Sequence, residues 1–255
     1  MSPPIYTPDG QEVTEIVLPD GSTASEVVAP DGSVVFEAGP DIPDSGLLHY
    51  YPGDEGSGST LTDNEGSADF SLSGPSWVSR SDYEGGFGLF FDGAGDSGSA
   101  TLTQPTARTR FLRIEVSSFS SLSNNLRVLF GHGFEPLIGY QVLNEDWEYR
   151  SPDNNAEVLV PEPIGDVEGS TRVLVARMDT SQMKFEVYDG SGETLVGDGT
   201  ALNPDTSYEG TTAYLGQAGN DTRWLGAMEA DPQFLTYDHY KTDSEVQDVL
   251  EAAFS

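Results

Sequence analysis

The 255-residue chain has no cysteine. That excludes a disulfide-stapled fold, thiolate zinc sites and a cysteine nucleophile. Positive charge is scarce as well: 11 Lys and Arg stand against 43 Asp and Glu, a formal net charge of −32. Only Lys184 and Lys241 are lysines. Binding nucleic acid needs clustered cations, and docking on an anionic bilayer needs a polybasic patch, so neither partner is expected. No apolar run is long enough to span a membrane. The opening segment, Met1 to Gly10, has neither a basic start nor an apolar stretch, so a secretory leader is not expected.

What the chain does have is core-building mass. Its hydrophobic set is 36 %, with 12 Phe, 11 Tyr and 3 Trp, above the profile of a disordered acidic chain. The acids are spread throughout. A diffuse carboxylate excess with so few lysines resembles proteins of salt-accumulating archaea. At molar salt the Debye length shrinks to ~3 Å, so self-repulsion fades. Some acidic extracellular proteins of ordinary organisms also reach an isoelectric point near the 4.1 of this chain. Under the salt-adapted reading, dilution should abolish assembly first and the fold next.

The first forty residues repeat. Pro8-Asp9-Gly10, Pro19-Asp20-Gly21 and Pro30-Asp31-Gly32 recur every 11 residues. Pro presets a turn, Asp-Gly supplies its left-handed corner, and the β-branched segments between are strand-length. Residues 1–38 therefore read as strands joined by tight turns. So small a meander is marginal alone and needs neighbours. Its apolar positions, Ile16, Val17, Val27, Val28, Val34, Val35 and Phe36, are the expected assembly contacts. A homo-oligomer follows, a trimer by preference, with a pentamer open. The first 79 residues hold 14 acids and no Lys or Arg, so this end repels itself at low salt.

Residues 39–46, rich in Pro and Gly, read as a linker. From residue 47 on, short apolar stretches alternate with turn residues. In Arg110 to Val116, Leu112, Ile114 and Val116 share one face, and Phe111, Arg113 and Glu115 the other. With 29 Gly and 16 Pro for turns, this is an all-β sandwich pattern. One helix is expected, at the C-terminus. Thr242-Asp-Ser-Glu245 has capping-box spacing, and Val246, Val249, Leu250, Ala253 and Phe254 follow at helical period.

Two stretches carry a resemblance. Leu47 to Asp63, with Pro52-Gly-Asp-Glu-Gly-Ser-Gly-Ser-Thr60 inside it, and Phe91-Asp-Gly93 resemble the opening of the concanavalin A-like, laminin-G-type jelly roll. Tyr188-Asp-Gly190 and the segments Tyr214-Leu-Gly216, Trp224-Leu-Gly226 and Phe234 to Tyr237 resemble its close. Lys241, where the family usually has Leu, and Pro232 depart from that pattern. The resemblance implies a jelly roll over residues 47–255 and a lectin-like function. Strand-turn repeats ahead of a jelly roll also resemble phage tail-fibre and capsid-appendage proteins. Together with the salt signature, this points to a non-enzymatic protein on the virion surface of a haloarchaeal virus. It would be held to other virion proteins by the repeats and would recognise a host-surface glycan or glycoprotein. The alternatives are a decoration protein without a ligand and a halophilic glycanase.

Sugars are gripped by aromatic faces beside fixed carboxylates and amides. Asn144 to Tyr149 offers Trp147 and Tyr149 beside Asp146, and Trp224 stands in a second polar stretch. These four are the expected glycan-binding residues, with core packing as the competing role for each tryptophan. Trp77, in the strand-like Pro75 to Val78, is assigned to the core. The resemblance also implies room for one structural calcium near Asp63, Asp92 and Asp96, although turn chemistry and salt adaptation explain the same aspartates. The E-x-D-x-E strand of laminarinase-type glucanases is absent: Glu145-Asp-Trp-Glu148 has the wrong spacing.

Overall fold

The computed structural model describes residues 26–28, 34–37, 42–80, 86–92, 95–102, 105–118, 126–132, 137–151, 155–206, 211–216 and 227–254. The chain divides into two units, Met1–Pro43 and Asp44–Ser255. In the first, strands β1 (Glu26–Val28) and β2 (Val34–Glu37) pair antiparallel, with Val27 opposite Phe36, and the Pro-Asp-Gly turns expected from the sequence lie outside the described residues. Of the expected assembly contacts, Val27, Val28, Val34, Val35 and Phe36 fall on this hairpin. Ile16 and Val17 lie outside the described residues.

The second unit is an all-β sandwich. Its early strands are β3 (Leu47–Tyr51), β4 (Thr60–Leu61), β5 (Phe70–Ser73), β6 (Ser76–Ser79), β7 (Phe87–Phe91) and β8 (Ser97–Thr101). The middle strands are β9 (Arg108–Ser118), β10 (Leu126–His132), β11 (Leu137–Gln141), β12 (Asp146–Arg150) and β13 (Glu157–Pro161). After the short helix α1 (Ile164–Val167) come β14 (Ser170–Met178), β15 (Gln182–Asp189), β16 (Leu195–Leu202), β17 (Thr212–Leu215) and β18 (Ala227–Tyr237). Helix α2 (Asp243–Phe254) closes the chain. One sheet runs β13-β12-β11-β10-β17-β8-β5-β4. The other runs β16-β15-β14-β9-β18-β7-β6, with β3 also on β18.

Alternation builds the core. Leu112, Ile114 and Val116 of β9 face inward with Leu174, Ala176 and Met178 of β14 and Phe185 and Val187 of β15. Phe70, Leu72, Phe130, Ile138, Tyr140, Val158 and Val160 answer them from the other sheet. Trp77 packs against this core, and its Nε1 donates to the Gly58 carbonyl at 3.0 Å. The register on β9 shifts between Ala230 and Phe234, an interval that holds Pro232. A proline cannot donate to a ladder, and a bulge accommodates it.

Helix α2 covers an outer face of the second sheet. Thr242 Oγ1 accepts from Glu245 N–H at 3.3 Å, and Glu245 Oε2 accepts from Thr242 N–H at 2.7 Å, completing the capping box. Val246, Val249, Leu250, Ala253 and Phe254 are buried, and Phe254 stacks on Phe111. The two lysines meet here. Lys241 is 1 % exposed, its ammonium 3.7 Å above the centre of the Tyr237 ring. Lys184 lies 3.0 Å from Glu186, which also pairs with the buried Arg177. Arg177 reaches Asp243 at the helix start and donates to the Lys241 carbonyl.

Candidate functional site

Strands β11, β12 and β13 are joined in register, so two rows of side chains separate cleanly. Tyr140, Trp147 and Val160 lie side by side, as do Ile138, Tyr149 and Val158. Both rows point into the core. The intervening positions point outward: Gly139, Glu148 and Leu159 in one row, Gln141, Asp146 and Pro161 in another, and Arg150 beside Glu157 in a third. The turn from β11 to β12 closes with Glu145 in the left-handed region at φ 59°.

These outward residues form one hydrogen-bonded patch. Asn144 Nδ2 donates to Gln141 Oε1 at 2.6 Å. Gln141 Nε2 donates to Glu148 Oε2 at 3.0 Å and Glu157 Oε1 at 3.4 Å. The Arg150 guanidinium pairs with Glu148 and lies 3.3 Å from Glu157. Glu148 is fully buried under this network, while Glu157 and Arg150 reach the surface. Burial pushes the Glu148 carboxyl up to about 7, and its hydrogen bond with Glu157 pushes the same way against Arg150 and Gln141. That same hydrogen bond, with Arg150, holds Glu157 below the usual range. Below about pH 7 Glu148 keeps the pair's proton and donates it to Glu157. The patch presents an amide, a guanidinium and a carboxylate on rigid strands, anchored from beneath by a carboxylic acid.

The patch shares a strand with residues expected from the sequence to bind glycan, but the two aromatics among them point the other way. Trp147 and Tyr149 are 0 % exposed. Trp147 Nε1 donates to the buried Glu162 at 2.6 Å, and Tyr149 packs on Phe185. A ring buried in the core cannot stack on a sugar, so neither serves as a platform. Asp146 stays on the outward face, half-buried. Trp224 lies outside the described residues. Missing from the expected set were Gln141, Glu148, Arg150 and Glu157. Their signal was the alternation of Asp146-Trp-Glu-Tyr-Arg150, which marks a half-buried strand.

The aspartates considered for calcium have other partners. Asp63 Oδ2 accepts from His49 Nδ1 at 2.7 Å and Ala68 N–H at 3.2 Å. Its Oδ1 accepts from Tyr50 N–H at 3.1 Å and Gly66 N–H at 3.0 Å. These bonds outweigh burial and hold its carboxyl down to about 2. Asp63 is thus a loop clamp with both oxygens engaged. Asp96 Oδ2 accepts from Asp92 N–H at 2.7 Å. Among the described residues, no group of three or more His, Asp or Glu is placed to hold a metal ion.

No protein-family model and no curated protein matches this chain. Solved structures do match its fold. One is the botulinum neurotoxin serotype D binding domain, 12 % identical over 82 % of this chain and 52 % of that one, TM-score 0.59. Another is the Trypanosoma rangeli sialidase in complex with sialic acid, 16 % identical over 89 % of this chain and 35 % of that one, TM-score 0.56. This chain therefore spans about a third to a half of the proteins it matches. The likeness shows the fold, an all-β sandwich, which these matches share between an enzyme and a binding domain.

Proposed function

We propose that the chain is a non-enzymatic carbohydrate-binding module whose ligand surface is the outward patch of β11–β13. The hydrogen-bonded array of Asn144, Gln141, Arg150 and Glu157 over buried Glu148 carries the reading. Fixed amides and carboxylates at a rigid surface are what sugar hydroxyls need. A two-carboxylate glycosidase sets its acids about 5 Å apart or more to flank the sugar bond. Glu148 and Glu157 are instead hydrogen-bonded to each other, which supports binding over hydrolysis.

The wider setting we propose is the surface of a haloarchaeal virion, with the N-terminal repeat attaching the module. Its support is compositional: the −32 charge, two lysines and the 11-residue repeat. The test is a glycan array read in molar salt. Glu157→Gln and Asn144→Ala should each weaken binding at least tenfold with the circular dichroism spectrum unchanged. Binding untouched by both, or no binding to any glycan, defeats the assignment. Binding should also fade as pH rises past about 7, where Glu148 ionises against Glu157. Glu148→Gln keeps the protonated shape and should remove that dependence.

A further inference from the structure

Four of the five exposed large apolar side chains among the described residues sit on two strands: Leu159, Leu195, Val196 and Leu202. β13 ends one sheet and β16 ends the other. The two are packed tightly: a Cβ on Gly199 would lie 2.6 Å from Val158 Cγ1 and 3.4 Å from the Leu159 carbonyl oxygen. Among the described residues, one end of the sandwich thus combines an apolar surface with open strand edges.

β16 lacks the usual protection of an edge. Its sequence, Leu195-Val-Gly-Asp-Gly-Thr-Ala-Leu202, has no Lys and no Pro, and Asp198 is its single charge. Its register with β15 is unbroken from Gly197 to Leu202, past the one shift near its start. Asn203 N–H donates to the Ser181 carbonyl at 2.9 Å. Antiparallel alternation from that bonded pair turns the backbone groups of Leu202, Thr200 and Asp198 towards the free side. Among the described residues, β15 is the only strand hydrogen-bonded to β16.

We propose that β16 pairs antiparallel with β16 of a second copy of this chain, about a twofold axis at Thr200. Charge selects the occupant. A body carrying −32 repels its own copies through any face that bears its share of acid. β16 carries one carboxylate, and that one faces Lys184 at 3.8 Å. This stripe is therefore one where identical surfaces meet with little repulsion. Charge also selects the register. An axis at Asp198 sets two carboxylates face to face, which is unfavourable. An axis at Leu202 engages only the strand's end. An axis at Thr200 sets Asp198 opposite Leu202 of the second copy and joins two sheets into one.

The absence of cysteine makes the test clean. Thr200→Cys supplies the chain's single thiol, and a short bis-maleimide reports whether two copies place it together in molar salt. Thr62→Cys, exposed beside β4 at the opposite edge of the sandwich, reads any background from assembly elsewhere. The expected result is covalent dimer at Thr200→Cys well above Thr62→Cys. Added to Thr200→Cys, Leu202→Glu puts a second carboxylate against Asp198 of the other copy and should cut the yield at least tenfold. Leu202→Lys puts a cation there and should preserve or raise it. Leu202 is 70 % exposed, so both variants should keep the fold. Equal cross-linking at the two sites, or equal behaviour of the Glu and Lys variants, overturns the proposal.

Discussion

Replacing Arg177 by Met tests how helix α2 is held. The Arg177 side chain is 1 % exposed, with Nη2 2.6 Å from Glu186 Oε2 and 2.7 Å from Asp243 Oδ1. Nη1 donates to the Lys241 carbonyl at 2.8 Å. Removing one member of a buried ion pair costs about 3–5 kcal/mol, because the other stays charged in a poor solvent. Two features favour the lower end. Lys184 remains 3.0 Å from Glu186, and Asp243 is 79 % exposed, so solvent screens its share. A loss of about 3 kcal/mol should lower the urea midpoint by roughly 1 M, given a slope near ~3 kcal/mol per M for a domain of this size. Salt discriminates further. The Arg177–Glu186 pair is buried and hardly screened, so most of the loss should persist from low to molar KCl. The variant Arg177→Met/Glu186→Leu should recover more than half of it. A midpoint shift under about 0.3 M, or a loss that disappears with salt, refutes the argument.

Two further changes probe the frame. Asp63 is ionised more readily folded than unfolded, so its stabilisation is full above about pH 4 and disappears as pH falls towards 2. Asp63→Asn should lower stability by about 2 kcal/mol at pH 7 and flatten that acid limb in thermal melts. A variant whose melting curve tracks the parent at every pH would contradict the clamp. Gly199→Val drives a side chain into Val158 and should cost about 1–3 kcal/mol as β13 lifts from β16. An unchanged melting temperature there would show that the two strands are not in close contact.

Local pattern made much of this molecule legible. β9 was readable because its apolar residues alternate without a break, and α2 because a capping box precedes a helical apolar stripe. β16 was not. Its inward positions, Gly197, Gly199 and Ala201, are small because β13 lies directly over them, and a glycine-rich stretch reads as a turn until that neighbour is known. The candidate site was half legible. Asp146 to Arg150 drew attention through its aromatics, which belong to the core. Gln141, Glu148 and Glu157 come from three strands, and only their register brings the amide and the two carboxyl groups together. Sequence spacing does not report that register.

The placement of the two lysines has a practical consequence. A reagent that acylates amines finds Lys184 with its side chain 19 % exposed, whereas Lys241 lies sealed beneath α2. Acylation of Lys241 therefore requires the helix to lift. With so few amines in the chain, a timed pulse of such a reagent, followed by peptide mass measurement, becomes a clock for a single event, the opening of α2 while the sandwich stays folded.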